Sequence, residues 1–257
     1  MRLKKLSKIT FEKGNTSVCG LRGCGKDMLM ANVIARRNRP YVSNMDYKAD
    51  LTFFSRGSVR IPLNFKELDC ENNYKTLISG NIIPYEYPYP EKCDIYISDC
   101  GIYFPCQYNG ELNKEFKNIP VFMALSRQLG NVNIHTNSQN LNRVWDKIRE
   151  QSDIYIECNW CKVLLKNIVI QKVTLYSKMQ SCLDSVEPYE HIRVPLLASK
   201  EMKANLKMKD EEMLRKFRED KGRIKSYILI YKNITNYDTR LFKSILRGKN
   251  GKNKKDQ

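Results

Sequence analysis

The chain has 257 residues, 42% of them hydrophobic and 10% aromatic, which is the balance of a globular protein rather than a disordered one. That length accommodates one sizeable α/β core with an appendage and is short for two full domains. Its 45 Lys+Arg against 28 Asp+Glu give +17, a balance that favours nucleic acid or an anionic membrane face as partner; no stretch approaches the ~20 continuous apolar residues of a membrane-spanning helix.

The basic residues 1–8 lack the apolar core of a signal peptide. Together with nine cysteines, this suggests reduced thiols in a cytosol rather than a disulfide framework. Residues 16–20 (TSVCG) read as a short strand running into a glycine-rich loop, and residues 25–37 as a helix, since Met28, Leu29, Ala31, Val33 and Ile34 fit helical spacing. Strands are expected at 40–44 and 58–63, then a surface excursion at 72–90, rich in Asn, Tyr and Pro. The most apolar strand signal is 94–98 (DIYIS), ending at Asp99. A helix at 119–129, a strand at 131–136, a helix at 141–149 and a strand at 153–158 follow, and residues 162–176 alternate like a hairpin at a sheet edge.

Strands alternating with helices predict an α/β fold, with a mostly parallel central sheet flanked by helices, an antiparallel edge hairpin and a basic helical C-terminal extension. The expected division is 1–195 as the main domain, 196–247 as the extension and 248–257 as a disordered basic tail. Residues 200–257 carry about +10 of the net charge. Cys158 and Cys161 have the spacing of half a zinc knuckle, but no second CxxC exists, and the plainer reading puts them at a turn between strands.

Residues 20–27, GLRGCGKD, fit G-x-x-x-x-G-K with a strand before and a helix after. Gly20, Gly23 and Gly25 allow the turn that aims successive N–H groups at phosphate oxygens, and the helix dipole adds to the attraction. Gly20, Leu21, Arg22, Gly23, Cys24, Gly25, Lys26, Asp27 and Met28 are therefore the expected ATP-binding residues, with Lys26 reaching the β- and γ-phosphates. The competing reading is a chance glycine-rich turn. Asp27 stands where Ser or Thr normally ligates Mg²⁺; a carboxylate can do so too.

An apolar strand ending in Asp99 has the layout of a Walker B acid, expected to hold Mg²⁺ beside the P-loop strand. The next position holds Cys100, a poor general base, so either Glu111 or Glu115 substitutes or hydrolysis is slow. In the stretch 131–149 a strand ending in the polar residues Thr136, Asn137 and Gln139 can present a sensor amide towards the γ-phosphate or its water. Arg127, Arg143 and Arg149 flank it as candidate arginine fingers. A polar loop with a surface helix is the equal alternative.

Three stretches taken together resemble the zonula occludens toxin-like P-loop ATPases of filamentous phages, relatives of the HerA–FtsK DNA-pumping group. They are the N-terminal glycine loop, ISDCGIYFP, and LSRQLGNVNIHTNSQN. The resemblance implies an oligomeric ATPase driving phage DNA movement during virion assembly, extrusion or packaging. It would use ATP and Mg²⁺, with Lys26 and Asp27 on the phosphates and metal, Asp99 as Walker B acid and Gln139 as sensor. Cys100 for the second acid, Asp27 for Ser/Thr and the missing membrane-spanning segment depart from the family. The expected setting is the host cytoplasm, or the periphery of the inner membrane through a membrane-bound assembly partner. The implied partners are non-specifically bound phage DNA and other copies of the chain in a ring. Lys249, Lys252, Lys254 and Lys255 suit DNA phosphates, an anionic membrane or mere solubility. Two other functions compete with the motor: a nucleotide-binding scaffold with little hydrolysis, and a small-molecule kinase.

Overall fold

Among the described residues nine strands form one sheet in the order β1-β9-β8-β7-β2-β6-β5-β3-β4. The computed structural model describes residues 2–4, 6, 14–37, 40–44, 60–63, 93–106, 119–126, 132–164 and 167–234. The strands are β1 Arg2–Lys4, β2 Thr16–Cys19, β3 Tyr41–Ser43, β4 Arg60–Pro62, β5 Asp94–Ile97, β6 Ile134–Ser138, β7 Ile154–Val163, β8 Ile168–Tyr176 and β9 Lys225–Lys232. Among these strands only the β7–β8 and β8–β9 pairings are antiparallel; the other pairings of the described residues' strands are parallel. This is the α/β arrangement expected from the sequence, a mostly parallel sheet with an antiparallel part. The hairpin anticipated at 162–176 is β7–β8, and β9 and β1 extend the sheet beyond it. β9 lies in the stretch expected as an extension, yet it contributes Tyr227, Leu229 and Tyr231 to the core.

Burial follows topology. β2, β3, β5 and β6 are buried along their whole length, as strands covered on both faces must be. Side chains alternate between two core clusters, because successive residues of a strand point to opposite faces. Tyr96 packs with Val18, Leu29, Met30 and Ile34 under helix α1 (Lys26–Arg37). Its neighbours Ile95 and Ile97 pack with Phe104, Phe122 and Ile148 on the other side. Asn15 fastens the start of β2: its side chain donates to the Met123 and Gln151 carbonyls and accepts from the Ile134 N–H.

Helices α2 (Cys100–Tyr103), α3 (Ile119–Leu125), α4 (Asp146–Arg149) and α5 (Met179–Leu183) are short. The single helix expected over 141–149 is instead a 3-10 turn, Leu141–Arg143, followed by α4. The break has a cause. Val144 forms a bridge with Pro105, the Cys106 N–H donates to the Arg143 carbonyl and the Trp145 N–H to the Phe104 carbonyl, so tertiary pairing replaces helical bonds there. Cys158 and Cys161 are not at a turn either: both lie within β7, on either side of a register shift between Cys158 and Trp160.

Helix α6, Lys200–Lys221, is capped by the Ser199 hydroxyl, which accepts from the Met202 N–H, and has no buried residue. It is clasped through Asp210, which accepts from the Tyr189 hydroxyl and the Ile192 N–H and lies 2.8 Å from His191 Nδ1. Among the described residues no helix is long and apolar enough to cross a membrane. Arg127, Glu111, Glu115, the excursion at 72–90 and the tail with Lys249, Lys252, Lys254 and Lys255 lie outside the described residues.

Candidate functional site: a phosphate cradle over three strand ends

β2 delivers the chain into the loop at its C-terminal edge, and α1 carries it away. Two positions there accept no side chain. Gly20 has φ +148°, and a Cβ on it would meet the Cys158 carbonyl at 2.5 Å. Gly25 has φ +84°, and a Cβ would meet Cys161 Cβ at 2.7 Å. The loop is thus pressed onto β7 as closely as a bare backbone permits, which leaves its other side, with Leu21, Arg22 and Gly23 exposed, to a ligand. The Cys24 N–H closes the turn onto the Leu21 carbonyl, and the Leu29 N–H starts the helix from Gly25. Met28 is half-buried and packs against the core rather than lining the loop.

Lys26 is only 5% exposed, and its Nζ lies 3.6 Å from Asp27 Oδ2. A buried ammonium holding one carboxylate at that distance is a charge awaiting a second anion, as a phosphate group would supply. Opposite it, Asn137 at the end of β6 donates from Nδ2 to Asp27 Oδ1 at 2.7 Å and accepts at Oδ1 from the Asp99 N–H at 2.7 Å. Ser98 Oγ stands 3.3 Å from Asp27 Oδ1, and Asn44 clamps the Ser98 peptide from both sides, accepting from its N–H and donating to its carbonyl. Asp99 adopts a left-handed conformation, φ 50° and ψ 45°, ahead of α2 without capping it through its side chain. Asp tolerates that conformation better than most residues.

The acid is not beside the P-loop strand, as the sequence reading had it: β6 lies between β2 and β5. Asn137 fills that gap. Burial, then the nearby Asp27 charge, hold the Asp99 carboxyl above its usual range, with Lys26 opposing. Two carboxylates that repel each other, with a hydroxyl and an amide oxygen beside them, form an all-oxygen donor set. That suits Mg²⁺, which takes one or two carboxylates and completes its shell with water and phosphate. Among the described residues no group of three or more His, Cys, Asp or Glu could hold a metal by itself.

The remaining predicted residues separate. Gln139 is exposed, just past β6, and shares a cavity of about 320 Å³ with Gly20, Leu21 and Glu157. Arg143 is exposed. Arg149 turns inward, its Nη1 donating to the Leu141 carbonyl at 3.3 Å. Cys100 is fully buried, and burial pushes its thiol up to about 12, so it activates no water at neutral pH.

Sequence reasoning named Asn137 only as one of three candidate sensor residues, and it missed Asn44, Ser98 and Gln171. Gln171 on β8 donates to the Cys24 carbonyl at 3.0 Å and accepts from the Tyr231 hydroxyl at 2.8 Å, so the hairpin side of the sheet props the loop from beneath. A polar residue alternating with Val169 and Val173 on a buried face was the available signal.

No protein-family model matches the chain, and no curated protein matches it in sequence. Among solved structures it is similar to the N-terminal domain of zonular occludens toxin from Neisseria meningitidis, at 10% identity and TM-score 0.39, covering 64% of this chain and 84% of that one. It is also similar to the genome packaging NTPase of Sulfolobus turreted icosahedral virus 2 in complex with AMPPCP, at 10% identity and TM-score 0.35, covering 64% and 92%. A third likeness is to a KaiC-like protein from Pyrococcus horikoshii, at 12% identity and TM-score 0.38, covering 66% and 81%. At such identities and TM-scores, the fold rests on the strand order of this chain itself.

Proposed function

We propose that the chain is a P-loop ATPase of phage morphogenesis that binds ATP with Mg²⁺ at the loop and uses its turnover to move phage DNA during assembly, extrusion or packaging. The observation that carries the nucleotide part is the meeting of buried Lys26, Asp27, Asn137 and Asp99 where β2, β6 and β5 end under the glycine loop. Lys26 and the loop N–H groups hold the β- and γ-phosphates, and Asp27 and Asp99 hold the cation. Bound Mg²⁺ neutralises charge on the phosphate oxygens. Asn137 keeps the two carboxylates in register, and Gln139 at the strand end is the sensor of the terminal phosphate.

The DNA part is supported by the net charge of +17 and by the motif resemblance. Assembly into a ring would let Arg143 serve a neighbour's site, since it is exposed and engaged by no side chain of its own site. A second reading, a nucleotide-binding scaffold with slow hydrolysis, is favoured by Cys100: its buried thiol leaves the position after Asp99 without a base.

ATP binding and steady turnover, measured with and without DNA for wild type, Lys26→Ala and Asp99→Asn, test both. The motor requires DNA-stimulated turnover, loss of ATP binding in Lys26→Ala and loss of turnover in Asp99→Asn. Binding without turnover in the wild type favours the scaffold. If neither DNA nor Asp99→Asn alters the rate, the motor reading fails.

A further inference from the structure

Five thiols gather around the root of the glycine loop, and the nucleotide chemistry uses none of them. Cys19 ends β2, Cys24 lies in the loop, Cys158 and Cys161 lie on β7, and Cys182 lies on α5. The Cys24 and Cys158 side chains lie side by side against Gly20. Both crowd the same point: a Cβ on Gly20 would stand 2.6 Å from Cys24 Sγ and 3.2 Å from Cys158 Cβ. Cys19 and Cys182 form a second pair, 3.7 Å apart. Cys158, Cys19 and Cys182 line the 320 Å³ cavity that opens beside Gln139, as does Gly20, against which Cys24 Sγ lies, so a small solute entering there reaches Cys158 and comes up to the edge of Cys24.

We propose that Cys24 and Cys158 are a reversible thiol–disulfide modification site through which a peroxide switches the nucleotide loop off. The inference rests on the loop being the ATP site. Cys24 is the attacking sulfur: the Cys158 thiol beside it, outweighing burial and aided by the Lys26 N–H and charge, lowers it to about 7, so a large fraction is thiolate at neutral pH. Cys158 is pushed the other way and stays a thiol.

The Cys24 thiolate attacks one oxygen of hydrogen peroxide. The O–O bond breaks, hydroxide leaves and takes up a proton, and Cys24 becomes a sulfenic acid. The Cys158 sulfur then attacks the Cys24 sulfur, its proton and the departing hydroxyl forming a second water. Two thiols are oxidised to one disulfide, and one peroxide is reduced to two waters.

A disulfide needs its sulfurs at about 2.05 Å, well inside thiol hydrogen-bond separation. Closing it draws the Cys24 backbone further onto β7, where Gly20 and Gly25 have no room to follow. The N–H groups aimed at the phosphates shift with it. Losing one hydrogen bond to a charged phosphate is worth about tenfold or more in affinity.

The test uses the full chain, reduced or treated with hydrogen peroxide, with peptide mapping of cross-links and ATP binding measured on the same samples. The expected result is a Cys24–Cys158 cross-link, ATP affinity lower by about tenfold or more, and recovery of both with dithiothreitol. Cys158→Ser should bind ATP as reduced wild type does and keep its affinity after peroxide, whereas Cys161→Ser should still switch. A cross-link restricted to Cys19–Cys182 or joining Cys24 to Cys161, or a Cys24–Cys158 cross-link with unchanged affinity, overturns the proposal. Failure of the reduced protein to bind ATP would sink the nucleotide reading instead, and with it the switch, whatever the cross-link map shows.

Discussion

Asn137 is the residue on which the candidate site turns. Its amide has no charge, yet it joins the Asp27 carboxylate to the Asp99 backbone from a fully buried position. Asn137→Ala leaves a part-buried N–H and a part-buried carboxylate oxygen without that partner, a loss of about 1 kcal/mol or more. The expected outcome is a lower melting temperature and weaker Mg²⁺-dependent ATP binding, read by thermal unfolding and a binding titration. An Asn137→Ala protein that binds and melts like wild type would remove Asn137 from the site. Asp99 carries a pH signature. Burial and the Asp27 charge raise its carboxyl above the usual aspartate range, so its proton is held more tightly in the folded free protein than in the unfolded chain. Its contribution to stability is therefore present below the ordinary aspartate value and lost as pH rises through the raised one. Cation binding runs the opposite way, because it needs the carboxylate. Mg²⁺-assisted ATP binding should fall with decreasing pH at a higher pH than a free aspartate would dictate, and Asp99→Asn should remove that step. In the same variant the free protein should be no less stable than wild type at neutral pH.

At the scale of elements, the loop depends on strands far from it in sequence. Gln171 on β8 and Tyr231 on β9 reach the Cys24 carbonyl through two buried hydrogen bonds. β9 is tied in turn to α1, because Arg36 donates to the Lys232 carbonyl and Asn32 Nδ2 donates to Asn233 Oδ1. The antiparallel end of the sheet is thus a support for the phosphate cradle. Gln171→Leu keeps the side-chain bulk but strands the Cys24 carbonyl and the Tyr231 hydroxyl, at a cost of about 1–3 kcal/mol. Weaker ATP binding with secondary structure retained is the expected result, measured by titration and circular dichroism. Tyr231→Phe, which leaves the Gln171–Cys24 bond in place, should weaken binding less. Equal ATP affinity in wild type and Gln171→Leu would show that the loop holds its shape without the prop.

For the whole molecule the governing quantity is charge. A net +17 over 257 residues gives sequence-independent attraction to a polyanion, with counterion release as the driving term. If DNA is the partner, its affinity should fall steeply with salt. Six or more phosphate contacts imply a loss of about a thousandfold between roughly 50 and 200 mM salt, with little preference for sequence. Filter binding or fluorescence anisotropy over a salt series reads the slope directly. An affinity insensitive to salt would separate this chain from non-specific DNA binding.

Local chemistry made part of this legible in the sequence. Gly20, Gly25 and Lys26 announce the cradle because a backbone turn of that shape demands glycine, and the strand before and helix after are set by the periodicity of neighbouring residues. The apolar run ending at Asp99 marks a buried strand end for the same reason. The order of the strands was not legible, since it is set by pairing between segments distant in sequence, with β2 lying beside β6 and β7 although both follow it by more than a hundred residues. Placing β6 between β2 and β5 is what makes Asn137, in the sequence one of three candidate sensor residues, the bridge between the Asp27 carboxylate and the Asp99 backbone. The helix expected over 141–149 failed on the same ground: Val144 and Trp145 pair with Pro105 and Phe104, partners that no window around them contains. Sequence determined which residues form the glycine loop proposed to hold a triphosphate; tertiary structure decided which residues hold that loop in place, because those contacts exist only once distant strands lie side by side.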